Sequence, residues 1–259
     1  MVLTQNLKLF DAHLHIIDNR FPLESNHGYL PDVFTCEDYL TRMKGYALFG
    51  GVVVSGSFQA FDQSYLIDAL KKLGPSYVGV IQLPATVSDE DLFMLHHAGV
   101  RAIRFNLKRG GSEELVHLDR MAKRVYEVVG WHVELYIDAK KLDDLYHRLV
   151  NLPAVSIDHL GLSKASMKTL VKLAEKGVRI KASGFGRVDF NVQNTLNELY
   201  SANPHSLMFG TDLPSTRAAR PFSDDDYALV VDTFAPEHAI NVLYKNAIDF
   251  YKPTMSITK

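Results

Sequence analysis

A single cysteine, Cys36, stands among the 259 residues. It cannot close an internal disulfide, which excludes a cystine-stapled secreted scaffold and fits a reducing compartment. It falls in or just before a predicted helix and need not be reactive. No apolar run approaches the roughly 20 residues of a membrane span. The opening Met1-Val2-Leu3-Thr4-Gln5-Asn6 has no basic stretch leading into an apolar core, so no secretory signal is read and a cytoplasmic location is expected. Charge of one sign is also missing: the formal net charge is -2. That balance gives no electrostatic case for nucleic acid or an anionic membrane as partner. Nor does a glycine-rich phosphate loop follow the first predicted strand, which disfavours an open doubly wound sheet. With no linker or low-complexity tract, residues 1–259 read as one domain.

What is present is a repeated unit. Short β-rich runs begin near Leu7 and recur at Gly51–Ser55, Tyr77–Gln82, Val100–Phe105, His132–Ile137, Ala154–His159, Val178–Ser183 and Leu207–Asp212. Several are apolar nearly throughout, as strands buried on both faces should be. Helical patterns lie between them. Ser88 and Ser223, each with an acid three residues on, read as helix starts. Gly99, Gly130 and Gly177 each end a helical run just before a strand. Eight βα units in about 250 residues is the arithmetic of a (β/α)8 TIM barrel. The first connection, from Asp18 to about Thr35, lacks periodicity. Its proline and aromatic content predicts an ordered loop, and loops of this length are usually functional or disordered.

In such a barrel the site lies at the C-terminal ends of the strands, and that rule sorts the eleven histidines. His96, His97, His117, His147 and His238 fall in helical patterns, while His132 and His205 lie at strand starts on the opposite face. His27 sits in the long first loop. His13 and His15, two apart on a strand, share one face. His159 and Asp212 end the sixth and eighth strands. Three histidines and a carboxylate thus converge on one mouth, a set able to grip one metal ion or a small anion.

Four stretches carry a family resemblance: Phe10-Asp11-Ala12-His13-Leu14-His15, Gly99-Val100-Arg101-Ala102-Ile103-Arg104-Phe105-Asn106, Ile157-Asp158-His159-Leu160-Gly161 and Phe209-Gly210-Thr211-Asp212-Leu213-Pro214. They resemble the amidohydrolase superfamily, and within it the branch that includes 2-pyrone-4,6-dicarboxylate lactonase and sugar-lactone hydrolases. The resemblance implies that His13, His15, His159 and Asp212 surround a scissile ester and are the catalytic set. It implies carboxylate-binding roles for Arg104 and Arg187, with Arg109 matching a further arginine only after one residue of slippage, so that Lys108 is the alternative. Ser57, Tyr136 and Tyr29 match substrate-contacting hydroxyls. Binuclear relatives use a strand-four lysine and a strand-five histidine. Here those strands end in Arg104-Phe105-Asn106 and Tyr136, so at most one zinc-like ion, on His13, His15, His159 and Asp212, is expected, or none.

The activity so implied is hydrolysis of a carboxylate-bearing lactone. Asp212 would activate water, and His159 with His13 or His15 would stabilise the oxyanion. Neither Arg104 nor Arg187 has an acid immediately beside it, although Asp189 lies two positions beyond Arg187 and could neutralise it. The two arginines are therefore expected to grip separate carboxylates of one small-molecule substrate. Three alternatives stand: a metal-dependent decarboxylase of an aromatic or dienoic acid, a sugar-lactone hydrolase, and a catalytically silent binding barrel. The oligomeric state is not legible.

Overall fold

The computed structural model describes residues 7–254. Eight parallel strands follow one another around a single sheet in sequence order. They are β1 (Leu9–Leu14), β2 (Leu48–Val54), β3 (Tyr77–Ile81), β4 (Val100–Asn106), β5 (His132–Tyr136), β6 (Val155–Ile157), β7 (Arg179–Ala182) and β8 (Leu207–Phe209). Helices α1 (Cys36–Arg42), α2 (Ser64–Leu73), α3 (Asp89–His97), α4 (Leu118–Val129), α5 (Leu142–Leu149), α6 (Met167–Glu175), α7 (Val192–Ala202) and α8 (Asp224–Thr233) alternate with them. This is the expected (β/α)8 barrel.

The expected helix punctuation is realised. The Ser88 hydroxyl accepts the Asp91 amide at 3.0 Å ahead of α3, and the Asp226 carboxylate accepts the Ser223 amide at 3.1 Å at the start of α8. Gly99, Gly130 and Gly177 all hold positive φ, the conformation that stops a helix and releases the chain into a strand. Cys36 is the first residue of α1, and burial raises its thiol pKa, so it is not activated.

Two apolar layers hold the barrel. The larger packs the outer strand faces against the helices; the smaller fills the interior with Phe10, Val52, Val54, Val80 and Met208 and is plugged by Tyr251. Tyr251 ends a final helical segment beginning at Pro236. Beside it, Phe250 lies 4.1 Å from His132, the first residue of β5, so this segment caps the end away from the expected site.

Strands β1 and β8 do not pair as a ladder. Their gap is closed by an isolated bridge, Leu14 to Leu213, and by two backbone bonds of 2.7 Å: Asp212 N–H to the His13 carbonyl and His15 N–H to the Leu213 carbonyl. The buried Asp11 carboxylate staples this seam, accepting from the Thr211 amide (2.8 Å), the Thr211 hydroxyl (2.7 Å) and the Tyr39 hydroxyl (3.1 Å). The long first loop is ordered by backbone bonds between Ile17 and Phe34, between Asn26 and Tyr29, and from Glu24 N–H to the Phe58 carbonyl.

Candidate active site

His13 lies within β1, and His15 follows its last residue, both facing the barrel axis. The strand beside them must come close. At Gly210 a Cβ would stand 2.6 Å from the His13 amide nitrogen, so only glycine admits the approach. β6 and β8 end at Ile157 and Phe209, shorter than the sequence suggests. His159 and Asp212 sit just beyond them at φ of 52° and 60°, a left-handed conformation that is uncommon outside glycine and that Asp and His tolerate better than most residues.

The three rings and the carboxylate meet. Asp212 Oδ1 lies 3.8, 3.6 and 3.8 Å from the Nε2 atoms of His13, His15 and His159. This oxygen is buried and has no hydrogen-bond donor among the described residues, while its twin Oδ2 accepts from Arg187 Nε at 2.6 Å. His15 Nδ1 is 2.7 Å from the Val54 carbonyl, which can only accept, so the ring presents its Nε2 lone pair inward. His13 Nε2 is 3.3 Å from that lone pair, and His13 Nδ1 is 3.2 Å from Lys181 Nζ. A consistent chain of donors runs from Lys181 to His13 to His15 to Val54, with the tautomers assigned from the network. The third ring, His159, is fixed through Nδ1 to the Ser183 hydroxyl at 2.9 Å.

Burial sets the charge states. It pushes the His159 ring down to about 3, against the pull of Asp212. Burial, reinforced by Lys181, holds His13 well below its ordinary value. For Asp212, burial pulls upward but is outweighed by the Arg187 guanidinium and His159, which keep the carboxyl below the usual range. At neutral pH the centre holds an ionised Asp212 carboxylate beside the neutral rings of His13 and His159.

Beneath it lies a layer of charges of which the sequence analysis singled out only Arg104. Lys181 Nζ contacts Glu134 at 2.5 Å, and Arg104 Nη2 contacts Asp158 at 2.6 Å, all four side chains being buried. Burial and the neighbouring Asp158 raise the Glu134 carboxyl to about 7, whereas Arg104 and His13 overcome burial and hold Asp158 well below its ordinary value. A charged residue in the middle of a short parallel strand, between apolar neighbours, was the available signal for Glu134 and Lys181.

A pocket of about 360 Å³, counting its open mouth, rises from this centre. His15, His159, Ser57, Tyr136, Arg104, Arg109 and Arg187 line it, together with Asn106, Thr216 and Arg217. Lys108 is not brought there; its ammonium pairs with Asp138 at 3.1 Å. Tyr29 does not line the pocket either but lies under the Arg217 guanidinium, 4.2 Å from it. His27 stays in the first loop outside the lining. One expectation is corrected outright. Arg104 and Arg187 do have acidic partners, Asp158 and Asp212, each at 2.6 Å. Asp189, the neighbour weighed for Arg187, is not that partner. The pairing is through space and crosses strands, so adjacency in sequence could not show it.

Two groups of side chains could hold a cation among the described residues: His13 with His159 and Asp212, and His13 with Glu134 and Asp158. The second is already neutralised by Lys181 and Arg104. The first fits a single ion. The edges of a tetrahedron built on zinc–ligand distances of about 2.0–2.1 Å are roughly 3.3–3.4 Å, close to the spacings around Asp212 Oδ1. The lysine beside this centre, Lys181, is paired with Glu134 at 2.5 Å. No helix among the described residues is long and apolar enough to cross a membrane.

Comparisons with known proteins agree with this architecture. A 2-pyrone-4,6-dicarboxylate hydrolase of Comamonas testosteroni is 34% identical over 162 residues, 58% of this chain; the match spans only 51% of that relative's length. A 4-sulfomuconolactone hydrolase of Rhizobium radiobacter is 26% identical over 254 residues, 89% of this chain and 85% of the relative. Among solved structures, a probable 2-pyrone-4,6-dicarboxylic acid hydrolase of Acinetobacter baumannii, with citric acid bound, superposes with a TM-score of 0.83 at 21% identity, covering 96% of this chain and all of that one. A putative enzyme of the same description from Pseudomonas putida gives 0.79 at 23% identity, covering 96% and 98%. The sequence model of one family, described as amidohydrolase, matches residues 10–252, and this chain belongs to that family.

Proposed function

We propose that this protein is a hydrolase that opens an anionic lactone, with Asp212 as the base that activates water. The observation that carries the reading is Asp212 Oδ1: a buried, ionised oxygen without a donor, aimed at three imidazole nitrogens at the foot of an arginine-lined pocket. A water hydrogen-bonded to Oδ1 would lose its proton to the carboxylate as its oxygen adds to the ring carbonyl. His159 and His13 would steady the resulting oxyanion, and Arg104 and Arg187 supply positive potential nearby. Collapse breaks the ring C–O bond, and the leaving oxygen takes the proton from Asp212, so the carboxylate is regenerated. Arg187 makes Asp212 a weak base in the free protein. An anionic substrate beside Arg187 would loosen that grip and raise the basicity where it is needed.

His13, His159 and Asp212 would hold one divalent, zinc-like ion. Such an ion supplies Lewis acidity and a more acidic water. The substrate class rests on the four pocket arginines and on relatives whose names specify a pyrone dicarboxylate and a sulfomuconolactone. The decarboxylase, sugar-lactone and silent-barrel readings have no such support.

A panel of charged and neutral lactones, followed by a pH indicator with and without chelator and with metal content measured in parallel, tests the proposal. Hydrolysis confined to anionic lactones with at most one metal equivalent per chain is expected. Carbon dioxide release from an aromatic acid, or no ring opening on any lactone, would overturn it.

A further inference from the structure

The interior of the barrel is divided. From β1 to β4 the side chains that fill it include Phe10, Val52, Val54, Val80 and Ala102, all apolar. On β5 and β7, and just past β6, Glu134, Lys181 and Asp158 stand there instead, with no exposed surface at all. Stability does not explain a lysine in this place. Replacing a buried ion pair by apolar side chains is often neutral or stabilising.

The surroundings of Lys181 give it another task. Its Nζ lies 2.5 Å from Glu134 Oε2, 3.2 Å from His13 Nδ1 and 3.7 Å from Asp158 Oδ1. An ammonium group donates and cannot accept. The ring nitrogen facing it must therefore offer a lone pair, and the one proton of the neutral His13 ring stands on Nε2. A rival acceptor lies beside the lysine. Asp158 Oδ1 is 3.4 Å from the same Nδ1 and has no donor among the described residues. Without Lys181 this carboxylate would compete for the proton with His15 Nε2, 3.3 Å from His13 Nε2. A hydrogen bond to a charged acceptor is roughly twice as strong as one between neutral groups. The proton would then move to Nδ1, and His13 would turn a lone pair toward Asp212 Oδ1, 3.8 Å from Nε2.

We propose that Lys181 is a positioning residue that fixes the tautomer of His13. By occupying Nδ1 it keeps the ring's proton on Nε2, where that proton is presented to the oxyanion formed on the substrate. Glu134 anchors the ammonium group, and the Tyr251 hydroxyl donates to Glu134 Oε2 at 3.1 Å from the far end of the barrel. The use of this proton on an oxyanion rests on the hydrolysis proposed above, whereas its placement on Nε2 does not.

Nitrogen NMR spectra of isotope-labelled histidines locate the proton directly. His13 is assigned by its loss in His13→Asn, and metal content is measured on the same sample. The wild type should show a bare Nδ1 and a protonated Nε2. A protonated Nδ1, with Nε2 bare or on a metal, would overturn the proposal without any change at Lys181. The second arm combines Lys181→Met with Glu134→Gln, so that the pair leaves together and Asp158 keeps Arg104. His13 Nδ1 should then carry a proton. The kcat for the best anionic lactone of the panel should fall by about 10²-fold, the loss typical of one oxyanion donor, with KM little changed. Tyr251→Phe disturbs the same interior but leaves Lys181 in place, and it should preserve both the proton on Nε2 and kcat. A bare Nδ1 in the double variant, or an equal loss of kcat in Tyr251→Phe, would overturn the role of Lys181. A proton that moves as expected in a protein that opens no lactone would overturn the reaction and leave the tautomer assignment standing.

Discussion

The floor and the rim of the pocket treat charge in opposite ways. At the floor, Lys181, Arg104 and Arg187 face Glu134, Asp158 and Asp212, three cations against three carboxylates, all in the interior. At the rim, Arg109 and Arg217 make no ion pair among the described residues. The difference follows from solvent. A buried charge must be balanced by the protein itself, since removing one partner leaves an uncompensated ion in a low-dielectric interior. A half-exposed charge is balanced by water until a ligand displaces it. The floor is therefore fixed for chemistry, and the rim remains available for recognition.

Breaking the floor should be costly and breaking the rim should not. The largest effect is expected at the floor's reacting end: Asp212→Asn should lower kcat by about 10²–10⁴-fold, read from the initial rate on an anionic lactone. Retention of a tenth of the rate would remove Asp212 from the role of base. Next, Lys181→Met should cost about 3–5 kcal/mol of stability in chemical denaturation, because Glu134 and Asp158 then share Arg104 alone. The matching rim change, Arg217→Met, should alter stability by no more than about 0.5 kcal/mol. Similar losses in the two variants would erase the distinction. A smaller and sharper test is the pH profile. Asp212 acts when ionised, and Arg187 holds its pKa below the ordinary 3.8, so the acid limb of kcat/KM should lie lower still. In Arg187→Met burial is opposed by the histidines alone, and the limb should move upward by about 1–3 units. A limb that stays in place would mean that another group governs it.

The sequence makes the barrel legible because each layer of signal agrees. Apolar runs mark strands buried on both faces, and Gly99, Gly130 and Gly177 mark where helices give way to strands. His13 and His15 are legible through the two-residue period. Other features depend on contacts made across the barrel. The ends of β6 and β8 are misjudged because the chain leaves the ladder early and turns left-handed at His159 and Asp212. The partners of Arg104 and Arg187 lie on other strands. Arg217 goes unnoticed because nothing in Thr216-Arg217-Ala218-Ala219-Arg220 separates it from Arg220, whose guanidinium turns to Asp226 at 2.6 Å. Choosing between Lys108 and Arg109 likewise needs the side-chain directions, which the structure resolves in favour of Arg109 for the pocket.

The seam between β1 and β8 carries a consequence for how the protein should fail. Two amide bonds that close the cylinder belong to His15 and Asp212, and the carbonyl of His13 receives one of them. Breathing of the barrel at this joint would dismantle the reacting centre while leaving the surrounding helices wound. Mild urea or heat should then silence turnover before circular dichroism registers any loss of helix, and deuterium should enter the amides of His15 and Asp212 in step with that silencing.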